Sequence, residues 1–265
     1  MGGQDMYQEF AYLYDTLMKS VDYEKWVDQI EAIFRRYEVE PKTIVDLACG
    51  TGGFTNSLAK RGYPVIGVDQ SVDMLNVASD KSRKSGWQIP YICQDITELE
   101  LHHPVDAMVC MCDGFNYILD SAELKKCLQG IYRFLNPGGI LIFDISSHYK
   151  LSSVVGSHTM ADPDKNISLI WLNQFDRKSG ILEMNLTFFI RQEADLYRRV
   201  EETQLQRAYC QDEILQSLNA CGFSGMECFA PLSLAAPKKK SQRIVFSAIR
   251  REAENIRNDS AGIGL

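Results

Sequence analysis

The sequence predicts an α/β protein with a doubly wound, mostly parallel seven-stranded sheet and an antiparallel β insertion after the fifth strand. Short apolar runs alternate with stretches of helical periodicity in the first half of the chain, which is typical of a parallel sheet covered by helices on both faces. After Ser147 the runs become longer and more polar, and the βα alternation resumes near Asp212. Because parallel neighbours are joined by right-handed crossovers, a doubly wound sheet is expected.

A helix is predicted first, after an aromatic-rich stretch at residues 7–14 that either stacks on a substrate or covers a crevice. Its apolar residues recur at helical spacing, Asp22 is a suitable N-cap, and Pro41 closes the segment. We predict that residues 1–40 form an N-terminal helical cap.

Five apolar runs in the next hundred residues are predicted to be strands. They are Thr43–Leu47, Pro64–Val68, Tyr91–Cys93, Val105–Met111 and Ile140–Ile145. Three helices are expected between them, over Phe54–Arg61, from a Ser71 cap to about Arg83, and from a Ser121 cap to Leu135. The segment Asn136-Pro137-Gly138-Gly139 then turns the chain into the fifth strand.

The second half of the chain is predicted to hold the insertion and the end of the main sheet. The insertion has candidate strands at Ser168–Phe175, Ile181–Arg191 and Leu196–Arg207, and the main sheet ends with a helix at Asp212–Ala220 and strands at Phe223–Phe229 and Arg243–Ile249. The predicted units are therefore a main domain of residues 41–147 and 208–250, an antiparallel lid of residues 148–207, and a flexible tail of residues 251–265.

Composition narrows the class of protein. With a net charge of −7 and a pI of about 5.2, the chain has no general field that would attract nucleic acid or anionic lipid. The eight cysteines lie mostly in apolar runs and include no Cys-x-x-Cys, so we expect free thiols and no metal site. The sequence has no signal peptide and no apolar run long enough to span a membrane, which predicts a cytoplasmic protein.

A glycine-rich loop and four aspartates mark a ligand crevice. Gly50 and Gly52 follow the first strand and precede a helix, where glycine lets a ligand approach the backbone. The aspartates end or follow the first four strands, at Asp46, Asp69, Asp95 and Asp113. Each could be a simple cap or loop residue, but together they mark the carboxyl edge of the sheet, where ligands bind. Four carboxylates would repel a polyphosphate and suit an ammonium, a sulfonium and ribose hydroxyls.

These segments resemble the class I S-adenosylmethionine-dependent methyltransferases, which share a Rossmann-like fold. The matching motifs are Asp46-Leu47-Ala48-Cys49-Gly50-Thr51-Gly52, Val65-Ile66-Gly67-Val68-Asp69, Gln94-Asp95-Ile96 and Leu135-Asn136-Pro137-Gly138-Gly139. Ala48 departs from the glycine that many members have. The opening Phe10-Ala11-Tyr12-Leu13-Tyr14-Asp15-Thr16-Leu17-Met18, with Tyr23-x-x-Trp26, resembles a bacterial subgroup similar to amino-sugar N,N-dimethyltransferases and glycine N-methyltransferases.

The resemblance implies a role for each residue of the crevice. Asp69 would take the ribose hydroxyls, Met74 would pack on adenine, Asp95 with Ile96 would read the adenine amino group, and Asp46 would lie near the methionine ammonium. The residues implied to bind S-adenosylmethionine are Asp46, Ala48, Gly50, Thr51, Gly52, Asp69, Gln70, Met74, Asp95, Ile96 and Met111.

The acceptor side is predicted around the segment after the fourth strand. Asp113, Tyr14 and Tyr117 are the candidate catalytic residues, because a carboxylate or a phenol could take a proton from an amine. Candidate acceptor contacts are Tyr12, Tyr14, Asn116, Tyr117 and His148. The cofactor carries an activated methyl group, so no cysteine nucleophile is expected. The lid and the N-terminal segment would hold the acceptor.

The favoured function is methyl transfer to a small-molecule acceptor, at nitrogen or oxygen, by in-line displacement. The alternatives are an RNA or protein substrate, an NAD-type oxidoreductase and a non-catalytic binding module. The basic run Lys238-Lys239-Lys240 with Arg243 could touch RNA or an acidic substrate, but we interpret it as a solvated loop. The sequence leaves the oligomeric state open.

Overall fold

A seven-stranded sheet forms the centre of the computed structural model, which describes residues 11, 13–193 and 196–251. Its strands are β1 (Ile44–Leu47), β2 (Val65–Asp69), β3 (Tyr91–Cys93), β4 (Val105–Cys110), β5 (Leu135–Ser146), β10 (Phe223–Phe229) and β11 (Arg243–Arg250). They lie in the order β10-β11-β5-β4-β1-β2-β3. Only β11 runs antiparallel to its neighbours in this sheet. The predicted mostly parallel sheet is thereby confirmed.

Five α-helices flank this sheet in the described part of the chain. They are α1 (Tyr23–Arg36), α2 (Gly53–Lys60), α3 (Val72–Lys84), α4 (Ser121–Phe134) and α5 (Gln211–Ala220). Asp22 and Ser71 cap α1 and α3 as predicted, since their side chains accept the backbone N–H groups of Lys25 and Met74. The predicted Ser121 cap is wrong: the Asp120 carboxylate caps α4 and also offsets the positive end of the helix.

The core lies on both faces of the sheet because neighbouring strand residues point to opposite sides. On one face, Leu47 joins a buried cluster with Leu128 of α4 and Ile214 of α5. On the other face, Ile44 packs with α1 and α2. Asp46 points to this second face, so its carboxylate is buried beside α2. No helix among the described residues combines the length and apolar character needed to cross a bilayer.

The insertion forms a separate four-stranded antiparallel sheet, which we call the lid. Its strands are β6 (Thr159–Asp162), β7 (Ile167–Asp176), β8 (Ile181–Arg191) and β9 (Tyr197–Arg207). A π-helical turn, Lys150–Val155, leads into it. The sequence did not reveal β6, because all four of its side chains are exposed and show no apolar alternation. The strand β5 also begins earlier than predicted, with a register shift against β4 near its start.

The inner face of the lid packs on the N-terminal segment, which we define as residues 13–20. Residues 13–17 are helical and Met18–Ser20 form a 3₁₀ turn. Leu13 and Leu17 join an apolar cluster with Phe188 and other lid residues, and Met74 of α3 packs against the same cluster. The lid and the N-terminal segment therefore close together over the carboxyl edge of the main sheet.

The lid joins the main domain at a junction tied by one side chain. The amide nitrogen of Asn116 donates to the carbonyl oxygens of Ser146 and Arg207, at 3.0 and 2.8 Å. Its amide oxygen accepts the N–H of Ser146 at 2.9 Å. Asn116 is fully buried and lines neither of the two cavities at the carboxyl edge of the sheet. This placement is contrary to the prediction that Asn116 contacts an acceptor.

Candidate functional site

A cavity of about 610 Å³ opens at the carboxyl ends of β1–β4, beneath the lid. Most of the residues predicted to bind a cofactor line it. They are Ala48, Gly50, Asp69, Gln70, Met74, Asp95, Ile96 and Met111. The structure thus brings together residues from four separate strand ends in one cavity, which we call the main cavity.

Asp69 joins the two loops that form the floor of the main cavity. Its Oδ2 accepts the N–H of Gly50 at 2.8 Å, and its Oδ1 accepts the N–H of Ser71 at 2.9 Å. Burial raises the pKa of this carboxyl, although the backbone N–H groups act in the opposite direction. Gly50 has a φ of +54°, a left-handed conformation that glycine adopts without strain.

Three predicted cofactor residues, Asp46, Thr51 and Gly52, lie behind the cavity wall. Asp46 accepts the hydroxyl of Thr55 at 2.6 Å, and Thr51 donates to Asp15 of the N-terminal segment at 2.6 Å. Gly52 packs against Ala78 of α3 and Tyr91 of β3. These residues fix the course of the β1–α2 loop, and none of the three lines the main cavity.

Burial of Asp46 makes a pH-dependent contribution to stability. Desolvation raises the pKa of Asp46 to about 7, although the Thr55 hydrogen bond lowers it. Its ionisation therefore destabilises the fold, and stability is lost as pH rises from the unfolded pKa of about 4 to the folded value. We expect Asp46→Asn, measured by urea unfolding, to be more stable than wild type by about 2–4 kcal/mol at about pH 8 and by much less at about pH 5. An equal difference at both pH values would contradict this.

A second cavity of about 530 Å³ lies on the other side of the N-terminal segment. Tyr14, Cys112 and Tyr117 line both cavities and form the partition between them. Trp26 and Arg243 are also among the lining residues of this second cavity. Burial raises the pKa of Tyr14 well above its ordinary value, so its phenol stays protonated at neutral pH.

The predicted catalytic residue Asp113 lines the second cavity and is ion-paired there. Its Oδ1 lies 2.5 Å from an Arg243 guanidinium nitrogen, and its Oδ2 accepts the side-chain N–H of Gln206 at 2.8 Å. Burial alone would raise the pKa of Asp113, but the positive charges of Arg243 and Lys150 and the hydrogen bonds from Gln206 and Arg243 together outweigh burial and lower the pKa. An ionised, paired carboxylate is a weak base, so this setting favours positioning over proton removal.

The remaining predicted acceptor contacts differ in placement. The Tyr117 hydroxyl donates to Gln204 of β9 at 2.8 Å, at the edge of the main cavity. His148 is exposed beside Ser152 and Phe175 and lines neither cavity. Tyr12 lies outside the described residues.

Comparisons with known proteins give the family. A family model described as a methyltransferase domain matches residues 44–139. A protein of Geobacillus sp. (strain WCH70), named provisionally as a methyltransferase, is 34% identical over 243 residues, or 91% of this chain and 98% of the relative. A solved S-adenosylmethionine-dependent methyltransferase from Clostridium acetobutylicum ATCC 824 is 33% identical, with a TM-score of 0.84 over 92% of this chain and 99% of that one. The chain belongs to the S-adenosylmethionine-dependent methyltransferases.

A third, shorter match for this methyltransferase is an amino-sugar enzyme. The dTDP-3-amino-3,6-dideoxy-alpha-D-glucopyranose N,N-dimethyltransferase of Streptomyces fradiae is 28% identical over 138 residues, or 51% of this chain and 52% of the relative. The family membership decides against the oxidoreductase alternative.

The main cavity of the methyltransferase fits S-adenosylmethionine. Among the described residues, its lining includes carboxylates and no lysine or arginine. These carboxylates are acceptors suited to a cationic ligand that carries hydroxyl groups. Asp95 and Ile96 follow β3 and Cys112 follows β4, so they lie at opposite ends of the main cavity along the sheet edge. The Asp95 carboxylate accepts the N–H of Thr97 at 2.8 Å. Gly50 has no side chain. A Cβ atom at this position would lie 3.8 Å from the ring of Tyr14.

Sequence reasoning missed the residues of the methyltransferase that distant segments supply. Glu202 and Gln204 of β9 line the main cavity, and Lys81 of α3 pairs with Asp15 at 2.9 Å. The alternation of β9 places Glu202 and Gln204 on one face, but that pattern alone does not say which face meets the crevice. Arg243 was grouped with the Lys238–Lys240 run, yet its side chain points inward to Asp113 while the three lysines are exposed.

Proposed function

We propose that this methyltransferase methylates a small-molecule acceptor, at nitrogen or oxygen, by in-line displacement, with the acceptor bound in the second cavity. One observation carries the proposal: the two cavities share a partition of Tyr14, Cys112 and Tyr117. A chamber of about 530 Å³ has the size of small-molecule sites in general. The amino-sugar relative supports an acceptor of this class, and nitrogen as the methylated atom.

Bound S-adenosylmethionine supplies a methyl group already activated by the sulfonium, so the protein need only align the acceptor and exclude water. In-line geometry requires the acceptor atom to face the main cavity across the partition. Tyr14, whose phenol is protonated at neutral pH, lies at this boundary and can donate a hydrogen bond to a polar group of the acceptor other than the attacking atom. Alignment of this kind can lower a barrier by about 7–11 kcal/mol. Cys112 serves as wall, because burial raises the pKa of its thiol.

The test of the proposal is a labelling experiment that compares three acceptor pools. The protein is incubated with methyl-labelled S-adenosylmethionine and either an ultrafiltered small-molecule extract, an RNA fraction or a protein fraction. We expect label in the small-molecule pool, with the product identified by mass spectrometry. Label found only in RNA or only in protein would overturn the small-molecule proposal.

Asp113 gives a prediction that separates the acceptor from the cofactor. Because Asp113 lines only the second cavity, we expect Asp113→Asn to lower kcat by about tenfold or more while the Kd for S-adenosylmethionine changes little. Calorimetry gives the Kd, and label transfer to the small-molecule pool gives kcat. Wild-type kcat in the variant would remove Asp113 from the acceptor site, and loss of cofactor binding would place it in the cofactor site.

A further inference from the structure

Two successive residues after β4 have a left-handed backbone. Cys112 and Asp113 have φ values of +63° and +56°, and neither is glycine. L-residues disfavour this region because Cβ approaches the carbonyl oxygen, and cysteine lacks the local side-chain hydrogen bonds that help aspartate adopt it. Such a conformation persists only where the surroundings hold it, and residues of this kind cluster at active sites, ligand clamps and switch regions.

Arg243 is the residue that joins the groups holding this turn. Asp144 of β5 is fully buried, and its Oδ1 accepts the N–H of Cys112 at 2.6 Å. One terminal nitrogen of the Arg243 guanidinium binds Asp144, and the other binds Asp113. A single guanidinium on β11 thus links the strand beside the turn to the turn itself.

Within the described part of the chain, no other cation forms ion pairs with both Asp113 and Asp144. The Lys150 ammonium is close enough to influence the pKa of Asp113, but it donates its hydrogen bond to the Ser146 hydroxyl at 3.0 Å. An ammonium is a point charge, whereas the planar guanidinium fork places two nitrogens toward two different carboxylates. The link therefore requires arginine at this position.

The turn occupies the boundary across which the methyl group would move. Cys112 lines both cavities, whereas Asp113 and Arg243 line only the second. A shift of the turn would change the partition and the acceptor chamber together, and leave most of the main cavity as it is.

We propose that Arg243 is a positioning residue for methyl transfer, which holds the left-handed Cys112–Asp113 turn by linking Asp113 to Asp144. It acts on the reaction through the turn that separates the cofactor from the acceptor. The inference rests on the proposed function, namely a small-molecule acceptor placed in the second cavity.

The experiment compares Arg243→Lys, which keeps the charge and removes the fork, with a matched Arg36→Lys control. Arg36 makes a similar two-point contact with Glu227, at 2.8 and 2.7 Å, on the exposed side of α1 and β10. Three measurements are made: the Kd for S-adenosylmethionine, the single-turnover rate of label transfer to the small-molecule extract, and amide hydrogen exchange at Cys112.

For Arg243→Lys we expect a Kd within about twofold of wild type, a transfer rate lower by about tenfold or more, and faster exchange at Cys112 with the core unchanged. Arg36→Lys should match wild type in all three. Asp144→Asn, which keeps the side-chain volume, is the second variant if Arg243→Lys does not fold, and it should show the same pattern.

Wild-type transfer and exchange in Arg243→Lys would overturn the proposal, as would a loss of cofactor affinity equal to the loss of rate. If the wild-type protein labels nothing in the extract, the small-molecule proposal fails. Exchange at Cys112 then decides by itself whether Arg243 holds the turn, and unchanged exchange would refute it.

Discussion

We expect Asp69→Ala to weaken S-adenosylmethionine binding by about tenfold to a hundredfold or more, because charged hydrogen bonds contribute about 1.5–3 kcal/mol. The variant loses the carboxylate at the place where ribose hydroxyls are expected. It also releases the N–H groups of Gly50 and Ser71, which this carboxylate holds in the cavity floor. Titration calorimetry with S-adenosylmethionine measures the effect directly.

Two further variants make the Asp69 result interpretable. Asp69→Asn keeps one acceptor oxygen and should lose less affinity than the alanine variant. Asp80→Ala removes a carboxylate from α3, the helix that follows Asp69 in the chain. Asp80 pairs with Arg83 and does not line the main cavity, so this variant should bind as wild type does. Unchanged affinity in a folded Asp69→Ala protein would be incompatible with the assigned role.

We expect Gly52→Ala to lower the stability of the fold by a large amount. A Cβ at Gly52 would lie 2.8 Å from the Tyr91 hydroxyl and 2.9 Å from Ala78 Cβ, closer than van der Waals contact allows, and φ is +71°. The left-handed conformation costs about 1–2 kcal/mol and the overpacking about 1–3 kcal/mol. We therefore expect the free energy of unfolding to fall by about 2–5 kcal/mol and the Tm by roughly 5–15 °C.

Gly180 provides the control for backbone conformation. Its φ is +72°, nearly the value at Gly52, but a Cβ there would meet no atom within 4 Å. Gly180→Ala should thus show the conformational cost alone, and the difference between the two variants measures the clash with Tyr91 and Ala78. Equal losses in both variants would show that the β1–α2 loop can move away and that the contact is not tight.

The main sheet could be predicted because its signals are local. A buried parallel strand such as β4 is apolar at nearly every position, and the caps at Asp22 and Ser71 directly precede helical periodicity. The wrong cap prediction at Ser121 and the missed strand β6 also have local causes. Asp120 and Ser121 are adjacent capping residues, and only the geometry shows that the carboxylate reaches the helix N–H groups. The strand β6 carries no buried face and therefore no pattern.

Residues of the candidate site that lie in short motifs could be predicted from the sequence. Residues that come together from distant segments could not. Gly50 and Asp69 are visible in short motifs after two strands. Arg243 is separated from Asp113 by 130 residues, and in the sequence it stands beside exposed lysines. The nearby lysines in the sequence indicate a solvated cluster of charges. In the fold, Arg243 is partly buried because its side chain pairs with two carboxylates, Asp113 and Asp144. Only the fold reveals this pairing.

The junction at Asn116 should allow the lid to be exchanged between related enzymes. The chain leaves the main domain after Ser146 and returns at Arg207, and one buried amide holds both carbonyl groups. The segment between these points can therefore change in sequence while the two crossing points keep their geometry, provided that Glu202, Gln204 and Gln206, which meet the site, are kept. We expect that exchanging the segment between them for that of a relative, with Asn116, Glu202, Gln204 and Gln206 retained, would transfer acceptor preference between enzymes and leave cofactor recognition with the recipient.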